Sequence, residues 1–452
     1  MNRGKLVFIA LGITHGFNLN KMMNFVEESQ YWSNEQINDY QLKRLKTIIS
    51  HAYSNVLFYR NFMKKLGMEP GDFKTTDDLL HFPIIDKNDI MADYPSFLSR
   101  DFAKYKPMVR FTGGTTGVPF KYYNDSISWG LGWATKIRTF HWGGYRFGSD
   151  TIAVLKGGTM HNKGRFGLRT RLWRYLQNNY NIPIMHLTED DLRHHARQIV
   201  NQKIRFIRGY PSAVYVLAKF FRDNGISHRV EGIFTTAEML LDYQRVIIED
   251  TFSCKIMDTY GCGEGMAGAN QCEEYSGYHT NIETCFMEVL NSSNTSSQHG
   301  EEGNVIVTSL QDFAMPFIRY APGDSAVKRS TACSCGRKLP LLDKIIGRTS
   351  DEIKLANGKI INGLSIPFED LSATISKFQL VQESQDSLVL NIIPNDAYNI
   401  ENEKEILATL RYIAGTGTNV QINIVNHIDQ TSSGKFRYIV SKIRQSEINN
   451  QG

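Results

Sequence analysis

Apolar residues in the first hundred positions recur at helical spacing. Leu42, Leu45, Ile49 and Ala52 share one face of the segment 41–54, while Lys43, Arg44 and Lys46 fall off it. Thr75-Thr76-Asp77-Asp78 and Pro83-Ile84-Ile85-Asp86-Lys87 carry helix-start signals, so the region ahead of residue 111 is expected to be helical. Beyond it the texture alternates. Short apolar runs at 151–155, 204–208, 230–234 and 255–259 read as strands, separated by helical patterns at 189–202, 211–224 and 240–251. Thr188 stands as an N-cap before acids in the first turn of one helix, and Pro211 and Gly225 bracket the next. Such alternation predicts an α/β fold: a largely parallel sheet with helices on its faces. From about residue 282, strands at 285–290 and 305–310 flank the Ser/Asn/Gly-rich loop 291–303, which predicts a β-rich subdomain. The last hundred residues read as strands at 378–382, 388–393 and 420–425 with a helix at 401–414, a small α+β domain. The turn-like Gly347-Arg348-Thr349-Ser350-Asp351 marks a hinge. The expected domains are therefore 1–346 and 347–452.

The charge balance, 51 − 46 = +5, is spread along 452 residues without a long basic run, so a nucleic-acid partner is not indicated. No apolar run approaches the ~18 residues of a membrane span. The apolar stretch 6–13 follows Arg3 and Lys5 but precedes no small-residue cleavage site. Six cysteines in so long a chain do not form a disulfide framework; reduced thiols and a cytoplasmic location are expected.

Candidate chemistry begins with Thr112-Gly113-Gly114-Thr115-Thr116-Gly117. Its glycines permit close approach to a polyanion, and its hydroxyls and N–H groups can donate to one. It lacks the Gly-Lys-Ser/Thr ending of a P-loop, and on composition a tight turn remains an equal reading. In parallel sheets ligands collect at the carboxyl ends of strands. Three polar segments are expected there: Gly209-Tyr210-Pro211, Thr235-Thr236-Ala237-Glu238 and Tyr260-Gly261-Cys262-Gly263-Glu264. Arg319-Tyr320-Ala321-Pro322-Gly323-Asp324, the hinge segment and Ser432-Ser433-Gly434-Lys435-Phe436-Arg437 follow in order.

Together, in this order, the glycine–threonine loop, the Tyr260–Glu264 segment and the three that follow it resemble the adenylate-forming superfamily. More closely they resemble its phenylacetate–CoA ligase-like and CapK-like branch, which includes proteins encoded with capsular polysaccharide genes. The run from Tyr31-Trp32 to Pro83-Ile84 is similar to that branch too, so the resemblance covers nearly the whole chain. It implies a large N-terminal domain that binds ATP and a small-molecule carboxylic acid, and a small mobile C-terminal domain. The acid's carboxylate would attack the α-phosphate, giving an acyl-adenylate, and CoA or another acceptor would then take the acyl group. By resemblance, residues 112–117 would hold the ATP phosphates, Glu264 would position Mg²⁺, and Tyr260 with Gly261 would lie near adenine. Ala237 and Glu238 would form the adenine-side loop, Asp324 would accept from the ribose hydroxyls, Arg348 would support ribose or phosphate, and Lys435 would be the catalytic lysine. Asp351 matches the hinge position. Three positions depart from the family pattern. Phe120 stands where Lys is common, with Lys121 after it; Gly263 replaces a Ser or Thr; Pro322 replaces a Thr. These bear on the efficiency of adenylation and on the acceptor.

Cys272, His279, Cys333 and Cys335 contain a Cys-x-Cys pair and suit a closed tetrahedral zinc site of structural type. Buried reduced thiols and a solvated histidine are the alternative. Some phenylacetate–CoA ligase-like proteins are similar in carrying zinc here. Cys262 is a competing ligand, and Cys254 and Cys285 read as core. The leading functional reading is an acid–thiol ligase using ATP, Mg²⁺ and CoA, and Trp129, Trp133, Phe140, Trp142, Tyr210 and Tyr215 are compatible with an aryl acid. A second reading is an adenylating enzyme that passes the acyl group to a sugar amine or hydroxyl. A third is a nucleotide-binding scaffold without catalysis.

Overall fold

The computed structural model describes residues 12, 16–111, 120–156, 178–184, 188–348, 353–356, 360–361, 374–429 and 437–443. The N-terminal region is helical, as its periodicity predicts: α1 (Leu19–Ser29), α2 (Asn34–Asn55), α3 (Leu57–Lys65) and α4 (Lys87–Ala92). α2 starts earlier than its apolar face alone indicates, because Ser33 and Gln36 form a capping box. Asp86 caps α4 through the N–H groups of Asn88 and Asp89. A hairpin follows, β1 (Met108–Phe111) and β2 (Lys121–Asn124), with Phe111 opposite Lys121. It brackets the glycine–threonine loop, and residues 112–117 themselves lie outside the described residues.

Next come α5 (Ser126–Trp142), β3 (Ile152–Lys156), β4 (Asn179–Pro183), α6 (Glu189–Asn201), β5 (Phe206–Gly209) and α7 (Pro211–Asp223). β6 (Gly232–Thr236), α8 (Asp242–Phe252) and β7 (Ile256–Cys262) complete the alternating part. β4, β3, β5, β6 and β7 are parallel neighbours. Both faces of these strands are buried, so their side chains alternate between two cores. Ile152, Val154, Phe206, Phe234 and Met257 face α1 and α5. Ala153, Leu155, Ile207, Ile233 and Ile256 face α6, α7 and α8.

β8 (Ala267–Asn270), β9 (Tyr278–Thr280), β10 (Cys285–Leu290), β11 (Glu302–Ser309), β12 (Asp324–Lys328) and β13 (Leu341–Arg348) continue the same sheet in antiparallel fashion. The result is one mixed sheet of 11 strands, ordered β10-β11-β12-β13-β9-β8-β7-β6-β5-β3-β4. The β-rich segment is thus fused to the parallel half through the β7–β8 pairing.

The C-terminal part contains β14 (Ile353–Lys354), β15 (Ile360–Ile361), β16 (Ile375–Ser384), β17 (Ser387–Pro394), α9 (Ile400–Ala414), β18 (Asn419–Ile424) and β19 (Ile439–Ser441). Its four-stranded sheet runs β18-β17-β16-β19. Leu380, Leu390 and Leu410 form its core together with Leu241 and Tyr243 at the start of α8. Gln244 Nε2 also donates to Tyr438 Oη at 2.6 Å, so α8 carries the contact between the two sheets. Among the described residues no helix is long and apolar enough to cross a membrane.

One buried ion pair ties the layers together. Arg138 of α5 pairs with Glu283, both side chains 0% exposed, and also donates to Val26 O at 2.9 Å and Asn281 Oδ1 at 3.2 Å. Removing one member leaves a buried, uncompensated charge. Arg138→Met should cost roughly 3–5 kcal/mol in urea denaturation. A loss below about 1 kcal/mol, the scale of an exposed pair, would contradict this account.

Candidate functional site

The carboxyl end of β7 gathers the polar segments. Tyr260 Oη donates to Asp324 Oδ2 at 2.6 Å, and Asp324 is 8% exposed. Burial and the adjoining carboxylate drive the Tyr260 phenol far above its ordinary value, so it stays a donor. Pro322 precedes Gly323, whose φ is 82°, the pairing a type II turn favours, and the turn delivers Asp324 as the first residue of β12. Proline at this departure therefore fits the local turn. Arg348 stands opposite Asp324 in the β12–β13 register.

Glu264 stands two residues past the end of β7 and is 8% exposed. Cys262 Sγ donates to its Oε2 at 3.3 Å. Burial, then the Glu264 carboxylate, pushes the Cys262 thiol well up, so it remains protonated and inert. Ala237 follows β6 with a φ of 71°, a left-handed conformation that costs an alanine roughly 1–2 kcal/mol. Glu238 Oε2 accepts from Ser212 N–H at 3.1 Å, so this strained loop is pinned to the N-terminus of α7.

Beside these groups lies a cavity of about 240 Å³. Lys136 and Phe140 of α5, Arg208 of β5, Thr236 of β6, Tyr260 of β7 and Gly268 of β8 line it. Tyr260 thus borders both the cavity and the Asp324 carboxylate. Of the aromatic residues expected around an acid pocket, Phe140 alone lines this cavity. Trp129 and Trp133 pack on Phe17 and Phe147, Trp142 lies against His279, and Tyr215 packs on Tyr243. At this cavity the compatibility with an aryl acid therefore rests on Phe140. Trp129, Trp133, Trp142 and Tyr215 pack on other rings instead.

The other departures also acquire a physical reason. Phe120 is 1% exposed and stacks on Tyr122 with ring centroids 5.9 Å apart. Alternation along β2 turns Lys121 to the other side, its Nζ 5.2 Å from the Tyr123 ring centroid. A Cβ on Gly263 would lie 2.0 Å from Tyr122 Oη. The phenol of Tyr122 thus occupies the space into which a Ser or Thr at 263 would project. Tyr122 was not singled out from the sequence; the inward alternation Phe120, Tyr122, Asn124 was the available signal. Asn124 Nδ2 donates to Gly263 O and to Asp312 Oδ2, each at 3.2 Å, which fastens the hairpin to the Glu264 turn.

In the core shared with α1 and α5, ligand atoms of Cys272, His279, Cys333 and Cys335 all lie within 4.8 Å of one another. Cys272 Sγ is 3.6 Å from Cys333 Sγ, and Cys335 Sγ is 3.4 Å from His279 Nε2. A tetrahedron with Zn–S bonds of ~2.3 Å sets its sulfurs about 3.8 Å apart, so the donor set fits that ion. Burial and the nearby Arg337 lower His279 to about 4, leaving a neutral imidazole. Cys262 is not in this cluster, and Cys285 is buried in the core. Of the other expected site residues, Lys435 and Asp351 lie outside the described residues, as does the glycine–threonine loop.

Residues 353–442 match the family described as the CapK C-terminal domain. Protein CapK of Staphylococcus aureus is 25% identical over 414 residues, 89% of each chain. A phenylacetate–coenzyme A ligase of Aromatoleum evansii is 26% identical over 437 residues, covering 91% of this chain and 95% of its own. The chain is similar to the adenylate-forming superfamily, and within it to the phenylacetate–CoA ligase-like and CapK-like branch. The fold agrees. A 2-hydroxyisobutyryl-CoA ligase in the postadenylation state superposes with a TM-score of 0.73 at 19% identity, over 92% of each chain. The mixed α/β architecture is the fold of that ligase.

The Gly263–Tyr122 contact is open to a mutant cycle. Gly263→Ser should destabilise the protein by about 1–3 kcal/mol in urea, and adding Tyr122→Phe should return at least half of that loss. Strictly additive effects would mean that the two residues do not share the space.

Proposed function

We propose that the protein activates a small carboxylic acid with ATP, forming an acyl-adenylate and pyrophosphate, and then transfers the acyl group to CoA. One observation carries the reading. The cavity, the Tyr260–Asp324 pair and buried Glu264 share the carboxyl end of β7. An acid in the cavity and a nucleotide at Asp324 would then meet across Tyr260 and Gly261, with the carboxylate oriented at the α-phosphate.

Asp324, held by Tyr260, accepts from the ribose hydroxyls in this reading, with Arg348 alongside. The Ala237–Glu238 loop borders adenine. Glu264 offers carboxylate oxygen, the donor a hard cation prefers, and Mg²⁺ there would offset triphosphate charge. The contacts of Tyr122 and Asn124 at Gly263 support a phosphate-holding role for residues 112–117, because they bring the hairpin that carries this loop to the Glu264 turn. Tyr122 supplies a phenolic donor where the family commonly has a hydroxyl at 263. Lys435 would meet the developing negative charge as a point charge on a flexible stem. Tyr438, three residues on, is bonded to Gln244 beside the Ala237–Glu238 loop, which supports that placement. The division at 346/347, with a C-terminal domain that moves after adenylation, belongs to the same proposal. A sugar amine or hydroxyl as acceptor is the second reading, favoured by the CapK-type match of residues 353–442. Cys272, His279, Cys333 and Cys335 are proposed to hold one structural zinc, joining the loop after β8 to the loop before β13.

Pyrophosphate release from ATP and Mg²⁺ should require a carboxylic acid, and a thioester should appear when CoA is added. Lys435→Ala should lower the adenylation rate about 10²-fold or more, the scale of an electrostatic transition-state contact. Release without thioester favours the second reading. An ATP-binding protein that releases nothing with any acid contradicts adenylation and points to a scaffold.

Purified protein should contain one zinc per chain by mass spectrometry, and Cys333→Ser should reduce both the zinc content and the melting temperature. Full stability at zero zinc would remove the metal from the account.

A further inference from the structure

The cavity beside β7 combines apolar walls, among them Phe140, Phe234 and Met266, with charged and polar ones. Its walls carry two cations close to one ring. The Arg208 guanidinium carbon lies 5.6 Å from the Phe140 ring centroid, and Lys136 Nζ lies 6.0 Å from the same centroid. Thr139, Thr236, Asn270 and Asn281 add polar groups to the lining. Lys136 also lies 4.8 Å from the Trp133 ring centroid.

Arg208 is the telling residue. It projects from the middle of the parallel sheet, and among the described residues it has neither a hydrogen bond nor a carboxylate partner. The titratable groups that influence it are the phenols of Tyr210 and Tyr145, both uncharged at neutral pH. The β3–β4 connection, residues 157–177, contains no Asp or Glu in its sequence. Burial lowers Arg208 to about 10, which still leaves it charged at neutral pH. A charge held in a protein interior is costly unless it is paired. Among the described residues that partner is missing, while the adjoining space is open to a ligand.

We infer that the cavity selects a small carboxylic acid bearing a second anionic group, which Arg208 and Lys136 bind while the reacting carboxylate faces the nucleotide. The inference rests on the reading of this cavity as the acid site. Guanidinium and ammonium together suit a second carboxylate or a phosphonate-type group. The volume, below the ~300–1,000 Å³ of drug-sized pockets, sets a small substrate. A monocarboxylic acid of the same length would desolvate Arg208 without pairing it, the kind of mismatch that gives strong discrimination.

The test uses matched acids: glutarate and 4-phosphonobutanoate against pentanoate, and 4-carboxyphenylacetate against phenylacetate. Acid-dependent pyrophosphate release should favour a dianionic member over its neutral partner by about tenfold or more in kcat/KM. Arg208→Met should reduce that ratio towards one, and Arg208→Lys should restore part of it. Neutral acids used as well as the dianionic ones would overturn the inference. So would an Arg208→Met variant that lowers both members of a pair equally, since Arg208 would then bind the reacting carboxylate itself. Calorimetric titration of the same acids into the folded protein separates this inference from adenylation. If no acid releases pyrophosphate, adenylation fails, but dianion binding that Arg208→Met abolishes still supports the cavity's selectivity. Absence of dianion binding to the unaltered protein overturns it.

Discussion

The change of strand direction at β7 is the constraint on which the rest of the structure depends. On one side β7 pairs in parallel with β6; on the other β8 returns antiparallel to it. The parallel strands discharge their chains at their carboxyl ends, while β8 and β9 turn back, and an opening is left at the edge between the two regimes. Tyr260, Gly261, Cys262, Gly263 and Glu264 occupy that edge. Asp324 reaches it from β12 because the antiparallel half is continuous with the parallel half. One sheet therefore brings together residues more than sixty positions apart, and the Tyr260–Asp324 hydrogen bond closes the arrangement.

Much of this was legible in the sequence where local physics decides. The helix 400–414 and the strand 285–290 follow from periodicity, and Thr188 caps α6 as its hydroxyl and the following acids indicate. What the sequence does not reveal is pairing. The segment after 282 reads as β-rich, but its fusion into the 11-stranded sheet depends on β8 and β9, which are too short and too evenly buried to show an alternating pattern. α5 was also missed, because it is buried on most sides and lacks a polar face. That omission mattered, since α5 supplies Lys136 and Phe140 to the cavity.

The site residues divide in the same way. Asp324, Tyr260 and Glu264 stand in motifs, and the structure brings them to one place. Tyr122 and Arg208 stand in none. Each gains its significance from a neighbour distant in sequence: the Gly263 backbone for Tyr122, the Phe140 ring for Arg208. The departures Phe120, Gly263 and Pro322 are likewise mutually consistent features of this chain. Phe120 supports Tyr122, Tyr122 fills the space beside Gly263, and Pro322 shapes the turn before Asp324. None of them requires the site to be defunct.

The most direct test of the account is a crystal structure of the protein with ATP, Mg²⁺ and an acid that it binds. The account predicts ribose hydroxyls on the Asp324 carboxylate, and the acid chain in the cavity between Phe140 and Gly268. Its carboxylate should face the α-phosphate past Tyr260. A nucleotide bound away from Asp324, or an acid lodged elsewhere with the cavity still filled by water, would contradict it.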